Sequence, residues 1–337
     1  MIEALPIPYT VRRILVAPLN WGLGHATRCI PIIRHLLAQQ KQIIIASDGA
    51  ALALLQAEFP QLTYITLPAY NITYPHRSMV LNMLRLSPNI IVAIWREHRQ
   101  LKHIIKTHHI DFIISDNRFG CYSSNVPSVC VTHQINLPVA VPFAGYMNRL
   151  LLKKFEAVWI PDVADSPNLS GKLSHPTTGL RHVHYIGTLS RMTEYERPKK
   201  YAGVVILSGP EPQRSNLETV LLQQLCELPY HQFLVVRGVT ATPQRYQYAP
   251  NIIVENYLTA DALNDALMSC DFVISRTGYT TVMDVVSLQK NALLIPTPQQ
   301  PEQEYLATHL QQHPQLLIQK QTAINVTAAI AAWQHAR

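Results

Sequence analysis

Asp271-Phe272-Val273-Ile274-Ser275-Arg276-Thr277-Gly278-Tyr279-Thr280-Thr281-Val282-Met283-Asp284 passes from a short apolar run, through a glycine turn, into a helical pattern. The apolar run at 272–275 is too short for a helix and rich in strand formers, so it reads as a strand buried on both faces. The helix that follows, read over 280–288, carries Asp284 about two turns in. A glycine at that junction leaves helix-start amides open to an anion. A carboxylate at 284 can accept from both hydroxyls of a ribose. The next apolar run, 292–296, ends in Pro296-Thr297-Pro298-Gln299-Gln300-Pro301-Glu302-Gln303-Glu304. That places an amide and a carboxylate at the following helix start, where they can hold sugar hydroxyls.

The same rhythm extends in both directions. Strands are expected at 14–17, 43–46, 63–67, 112–115, 129–132 and 158–161, and again at 204–208, 233–237, 252–255, 272–275 and 292–296. Helices are expected at 26–40, 49–58, 217–226, 260–269, 280–288, 303–312 and about 324–334. Apolar strands alternating with helices imply parallel α/β sheets, and right-handed crossovers make each half doubly wound. The polar segment 188–200, ending in Pro198-Lys199-Lys200, reads as an interdomain linker. The expected domains are 1–187 and 188–323, both Rossmann-like, with a last helix at about 324–337 that could pack back on the first.

Length and composition agree with two domains. The chain has 337 residues, 48% hydrophobic and 15% charged, which suits two buried cores. No stretch reaches the ~20 apolar residues of a membrane span. The start lacks a basic and then apolar signal pattern, and five cysteines without a Cys-x-x-Cys argue against disulfides or a zinc site. A cytoplasmic location is expected. Residues 1–187 hold 17 Lys and Arg against 9 Asp and Glu, whereas 188–337 hold 11 against 12. The basic half points to an anionic membrane, a phosphorylated acceptor, nucleic acid or simply a solvated surface. No nucleic-acid recognition motif supports the third, and none is expected as a partner.

The first strand runs into Asn20-Trp21-Gly22-Leu23-Gly24-His25-Ala26-Thr27-Arg28. This is not a dinucleotide fingerprint, which needs glycine at 27. A histidine at a helix start in a glycine turn is placed to act as a general base, although it could equally cap the helix. Asp116 and Asn117 end the fourth strand, and His133 and Gln134 the fifth. Ligands of open α/β sheets lie beyond the carboxyl ends of strands, so these residues are expected around one crevice with His25. Asp116 could orient His25, act as base itself, or close an Asx turn.

The run 277–284, with Pro296 and Gln303-Glu304-Tyr305 after it, resembles the donor-site signature of family 28 glycosyltransferases, whose best-known member is the peptidoglycan lipid-intermediate N-acetylglucosaminyltransferase. The resemblance implies the GT-B fold, two Rossmann-like domains facing a cleft, and an inverting transfer from a UDP-sugar. It assigns Asp284 to the ribose and Gln303 and Glu304 to the donor sugar; the family usually has Gln where this chain has Glu304. The backbone of residues 256–258, Leu258 included, is expected at the uracil edge. Ser208-Gly209-Pro210-Glu211 resembles the glycine-rich first loop of the C-terminal domain. Tyr185-Ile186-Gly187 followed by Arg191 resembles the junction into the linker. Arg237, Arg276, Thr277, Gly278, Tyr279 and Thr280 complete the expected donor site, with Arg276 offsetting diphosphate charge. Gly22, Gly24, Arg28, Asn117, His133 and Gln134 make the expected acceptor side, and His25 with Asp116 the catalytic pair. No cofactor or metal is expected.

Two other activities stay open. Gly22-x-Gly24-His25-x-x-Arg28-Cys29 also resembles the loop of nucleotide-sugar hydrolases of the pseudaminic acid pathway, so a hydrolase or epimerase is the first alternative and a non-catalytic nucleotide-sugar binding protein the second. A segment from Tyr70 to His109 favours transfer. It interleaves Tyr70, Tyr74, Met79, Leu81, Met83, Leu84, Leu86, Ile90, Ile91 and Trp95 with Arg77, Arg85, Arg96, Arg99, Lys102 and Lys106, and Arg149, Lys153 and Lys154 could join them. Such a mixture suits a helix lying on the inner face of an anionic plasma membrane, or a core helix with a basic solvent face.

Overall fold

The structure is a computed structural model that describes residues 5–70, 79–138, 142–177, 179–239 and 244–335, with side chains described outside 79–88, 142–143 and 334–335. The chain divides into two units, Met1–Leu189 and Ser190–Arg337.

The first unit holds strands β1 (Arg13–Pro18), β2 (Gln42–Ser47), β3 (Thr63–Thr66), β4 (Phe112–Asp116), β5 (Ser128–Val131), β6 (Ala157–Ile160) and β7 (Val183–Tyr185). They form one sheet in the order β3-β2-β1-β4-β5-β6-β7, every pairing parallel. Its helices are α1 (Leu23–Ala38), α2 (Gly49–Glu58), α3 (Met79–His108) and α4 (Pro142–Leu152). Ile14, Leu15, Val16 and Ala17 are all fully buried, as a central parallel strand covered on both faces requires. Strand order reverses between β1 and β4, which makes that junction the switch point where loops diverge and leave a crevice.

The second unit repeats the plan with β8 (Tyr201–Ile206), β9 (Phe233–Val236), β10 (Arg245–Ala249), β11 (Ile252–Glu255), β12 (Cys270–Arg276), β13 (Asn291–Ile295) and β14 (Leu316–Ile318). The order is β10-β11-β9-β8-β12-β13-β14, parallel except for β10 against β11, and the switch point lies between β8 and β12. Its helices are α5 (Gln213–Cys226), α6 (Ala260–Met268), α7 (Tyr279–Ser287), α8 (Pro301–His309) and α9 (Val326–His335). Both sheets are of the doubly wound, Rossmann-like kind.

Three strands escaped the sequence reading: β7, β10 and β14. All lie at sheet edges and are only partly buried. They lack the continuous apolar run that marks a strand covered on both faces. The segment 188–200 is not a free linker. Thr193 exchanges two hydrogen bonds with Asn264 at 3.1 and 3.0 Å, and Lys199 Nζ donates to the carbonyls of Met268 and Cys270, so this strap lies along the second unit. Helix α9 likewise packs in the second unit and not the first: Val326, Ala329 and Ile330 join its core, and Trp333 lies 4.8 Å from the Phe272 ring.

Candidate active site

In the first unit the expected catalytic pair straddles the switch point. α1 begins just after β1 and carries His25 in its first turn, while Asp116 ends β4. His25 Nδ1 lies 2.8 Å from Asp116 Oδ1. Arg28, one helical turn beyond His25, forks onto both oxygens of Asp116 through Nε and Nη2. Arg28 Nη1 also lies 3.0 Å from His133 Nδ1, and Gln134 Nε2 3.4 Å from His133 Nε2. The structure therefore brings His25, Arg28, Asp116, His133 and Gln134 into one cluster at the carboxyl edge of the sheet.

Burial alone would raise the Asp116 carboxyl, but Arg28 and His25 outweigh it and hold Asp116 at about 2. Asp116 is therefore held as an anion beside His25. His25 Nδ1 also lies 2.8 Å from Arg28 Nη2, and one nitrogen cannot both donate and accept. The charged carboxylate is the stronger acceptor, so Nδ1 carries the proton and Nε2 keeps its lone pair. Burial and the Arg28 charge lower the His25 pKa against the opposing pull of Asp116. A neutral imidazole with a basic Nε2 follows. Arg28, read from sequence as touching an acceptor, is 2% exposed and spent on Asp116. Asn117 stays outside the cluster, with φ 55° and a backbone bridge to Pro18. Gly22 precedes α1 at φ 73°, ψ 166°, a conformation reserved for glycine, and nothing lies within 4 Å of where a Cβ would point.

A second buried network braces this edge. Arg118, fully buried, donates from Nε to the Pro18 carbonyl at 3.0 Å, from Nη1 to Glu97 at 2.5 Å, and from Nη2 to Asp48. Tyr70 donates to Glu97 at 2.7 Å and Asn20 to Asp48 at 3.1 Å. Arg118 thus ties the end of β1 to β2, α3 and the loop after β4, fixing the two ends that carry His25 and Asp116. The sequence reading missed it, although a lone arginine two residues past Asp116, between two apolar strands, was a visible signal.

In the second unit most of the residues expected at the donor follow strand ends at the carboxyl edge of the sheet, on either side of the β8–β12 switch point. Ser208 and Gly209, the latter at φ 101°, follow β8; Arg237 follows β9; Leu258 follows β11; Gly278 caps α7; Gln303 and Glu304 open α8. Several bonds differ from the expectation. Gly278 has an ordinary φ of −84°, so no positive φ demands glycine; a Cβ would meet only the Thr281 hydroxyl, at 4.0 Å. Tyr279 is a core side chain, 3% exposed. Thr277 is fully buried, whereas Thr280 is half-buried at the start of α7. Arg276 is fully buried and donates to the carbonyls of Pro296 and Gln213 and to Gln321 Oε1. It braces the edge from below, and burial lowers it to about 10. All three partners are neutral, so its charge reaches the edge as a field and not as a contact. Arg237 is paired with Glu218 at 2.7 Å and with Asn256 at 3.1 Å. The backbone of Asn256, expected at the base edge, is bonded to Val239 and Gln244; Leu258 is half-buried beyond it.

Asp284 is 8% exposed and accepts from the Ser190 hydroxyl at 2.6 Å. Burial raises its pKa, opposed by the Arg191 charge, the Ser190 bond and the Arg191 amide. Gln303 Oε1 accepts from the Thr297 amide at 2.9 Å, while Glu304 accepts from the Gln299 amide at 2.9 Å. α8 starts where it does because the Gln300 side chain caps the Gln303 amide and Pro301 follows it.

The surface segment divides in two. Tyr70 and Ile90 belong to a core cluster with Leu19 and Ala93. Ile91, Val92 and Trp95 are 61%, 45% and 60% exposed, beside exposed Arg96, Arg99, Lys102 and Lys106. Lys153 and Lys154 are exposed and Arg149 half-buried. Tyr74 and Arg77, and the side chains of Met79, Leu81, Met83, Leu84, Arg85 and Leu86, lie outside the described residues. Among the described residues no helix is long and apolar enough to cross a membrane. An open hollow of about 490 Å³ between Asp162–Asp165 and Val183–Tyr185 includes none of the expected site residues. The Asp162 carboxylate there is taken up by the amides of Val163, Leu169 and Ser170.

Comparison with known proteins places these two units. Residues 207–334 match the glycosyltransferase family 28 C-terminal domain. An uncharacterized glycosyltransferase of Methanopyrus kandleri is 22% identical over 311 residues, 86% of this chain and 85% of that one. The UDP-N-acetylglucosamine–N-acetylmuramyl-(pentapeptide) pyrophosphoryl-undecaprenol N-acetylglucosamine transferase of Prochlorococcus marinus is 23% identical over 209 residues, and the match spans 59% of this chain and 55% of its length. In fold, the chain is similar to the crystal structure of the glycotransferase of kitacinnamycin, with a TM-score of 0.64 at 14% identity over 96% of this chain and 90% of that one.

Proposed function

We propose that the chain, whose residues 207–334 match the glycosyltransferase family 28 C-terminal domain, moves a sugar, with inversion, from a UDP-sugar held by the second unit to an acceptor hydroxyl deprotonated by His25 of the first. The observation that carries this reading is the 2.8 Å bond between His25 Nδ1 and Asp116 Oδ1 at the first switch point. It supports a general base whose tautomer and orientation are set by a buried anion.

His25 Nε2 takes the acceptor hydroxyl proton as the oxygen attacks the anomeric carbon from the face opposite the leaving group. The bond between the anomeric carbon and the diphosphate oxygen breaks, and the nucleoside diphosphate leaves with the electron pair. Amides at the start of α7, with the buried charge of Arg276 behind them, offset the negative charge that develops. Asp284 accepts from the ribose, and the Gln303 amide donates to the sugar. The acceptor is phosphorylated or membrane-associated. Its support is the excess of basic residues in 1–187 and the exposed Ile91, Val92 and Trp95 beside Arg96 and Arg99.

The test is a thermal-shift screen of nucleotide sugars, then mass spectrometry of the products formed with membrane extract. A UDP-sugar that stabilises the chain and a sugar-bearing lipid or phosphorylated product support the reading. Free sugar released at the same rate without acceptor overturns transfer in favour of hydrolysis.

A further inference from the structure

Asp284 sits in an unusual position for a group that must accept from a ligand. It lies about one and a half turns inside α7, 8% exposed, where a carboxylate with too few donors loses its charge. The donors that hold it come from the first residues of the second unit. Ser190 Oγ donates to Asp284 Oδ1 at 2.6 Å, and Ser190 Oγ in turn accepts from the Met192 amide at 3.1 Å. The hydroxyl has one proton, and the amide on its lone pair fixes where that proton points. The Arg191 amide adds a bond to the same carboxylate, and its charge acts on Asp284 as well. The strap bearing these residues is anchored further along by the Thr193–Asn264 exchange and by Lys199.

We propose that Ser190 is the positioning residue of the donor site, fixing the Asp284 carboxylate so that its remaining lone pairs meet the ribose hydroxyls. The inference rests on the reading of Asp284 as the ribose acceptor and adds the residue that sets its orientation. Nothing in the sequence pairs a serine at 190 with a carboxylate 94 positions away. At metal sites, removing the outer groups that orient a ligating carboxylate costs about tenfold or more in affinity, and the same physical role is assigned to Ser190 here.

Calorimetry with UDP and its 2′,3′-dideoxy analogue tests this on the full chain. The Ser190→Ala variant is expected to bind UDP about tenfold more weakly while its affinity for the dideoxy analogue is unchanged. Ser190→Thr, which restores a hydroxyl, is expected to recover UDP binding. Removing Ser190 also removes a bond to the ionised carboxylate, so the loss of UDP affinity on acidification should begin at higher pH in Ser190→Ala than in the parent. Equal affinities for parent and variant, or an equal loss for both nucleotides, overturn the proposal, the second by showing a merely structural role. A parent chain that binds neither nucleotide overturns the donor reading itself, and a parent that binds both alike overturns the ribose role of Asp284.

Discussion

Arg28 and Asp116 form a forked ion pair in the interior of the first unit, Nε and Nη2 on the two carboxylate oxygens, at 2% and 0% exposure. The pair fixes the charge of Asp116, and through Asp116 the tautomer of His25. A buried pair of this kind adds little net stability but is costly to break from one side, because the remaining charge is stranded.

His25→Ala should lower kcat by about 10²–10⁴, the usual contribution of a general base, while the affinity for nucleotide stays near that of the parent. The pH profile carries the sign. His25 acts as base only when neutral, and burial and Arg28 lower its pKa, so the acid limb of kcat/KM should fall below pH 6.5. Initial rates across pH 5–8, with calorimetry of nucleotide binding, check both points. Unchanged turnover in the variant removes His25 as the base.

Asp116 links the site to acid stability. Its pKa is lowered from 3.8 to about 2 on folding, so its contribution is complete above pH 4 and is lost as pH falls through about 2. The shift corresponds to about 2 kcal/mol. Urea unfolding as a function of pH should show this limb in the parent and lack it in Asp116→Asn. At neutral pH the variant should be about 3–5 kcal/mol less stable, since Arg28 is left without its anion.

Arg118→Met should be among the most destabilising substitutions in the first unit. It leaves Asp48 and Glu97 without their shared cation, at a cost of about 3–5 kcal/mol. Adding Glu97→Gln to Arg118→Met removes one stranded charge and should recover part of that loss. Chemical denaturation of the single and double variants measures it; a double variant no more stable than the single shows that charge burial is not the cause.

Gly22 and Gly278 look alike in sequence and should behave differently. Gly22→Ala forces a side chain into φ 73°, ψ 166°, which costs about 1–3 kcal/mol. Gly278→Ala meets ordinary backbone angles and open space, so stability should hold within about 0.5 kcal/mol. If a diphosphate approaches the α7 amides, the added methyl at 278 should weaken nucleotide binding without affecting the melt. Melting curves and titrations of the two variants separate these effects.

The central strands were legible because a strand covered on both faces is built mostly of apolar residues, and 272–274 and 14–17 are apolar throughout. β10, with Arg245 and Gln247 facing outward, carries no such mark, because an edge strand is held by backbone pairing and not by burial. The candidate cluster at the first switch point was partly legible. His25, Asp116 and His133 each follow a strand end, and parallel topology sends strand ends to one edge. Their bonds were not legible: Arg28 was placed with the acceptor, whereas the fold turns it inward to Asp116, 88 residues away.

The sequence by itself determined two parallel α/β units and the strand ends at which chemistry must lie, because hydrophobic periodicity and crossover handedness act locally. Only the tertiary structure decided which charges meet. Arg28 on Asp116, Arg118 on Asp48 and Glu97, and Ser190 on Asp284 are pairings between distant segments, fixed by the need of each buried polar group to find a partner once the sheets have closed around it.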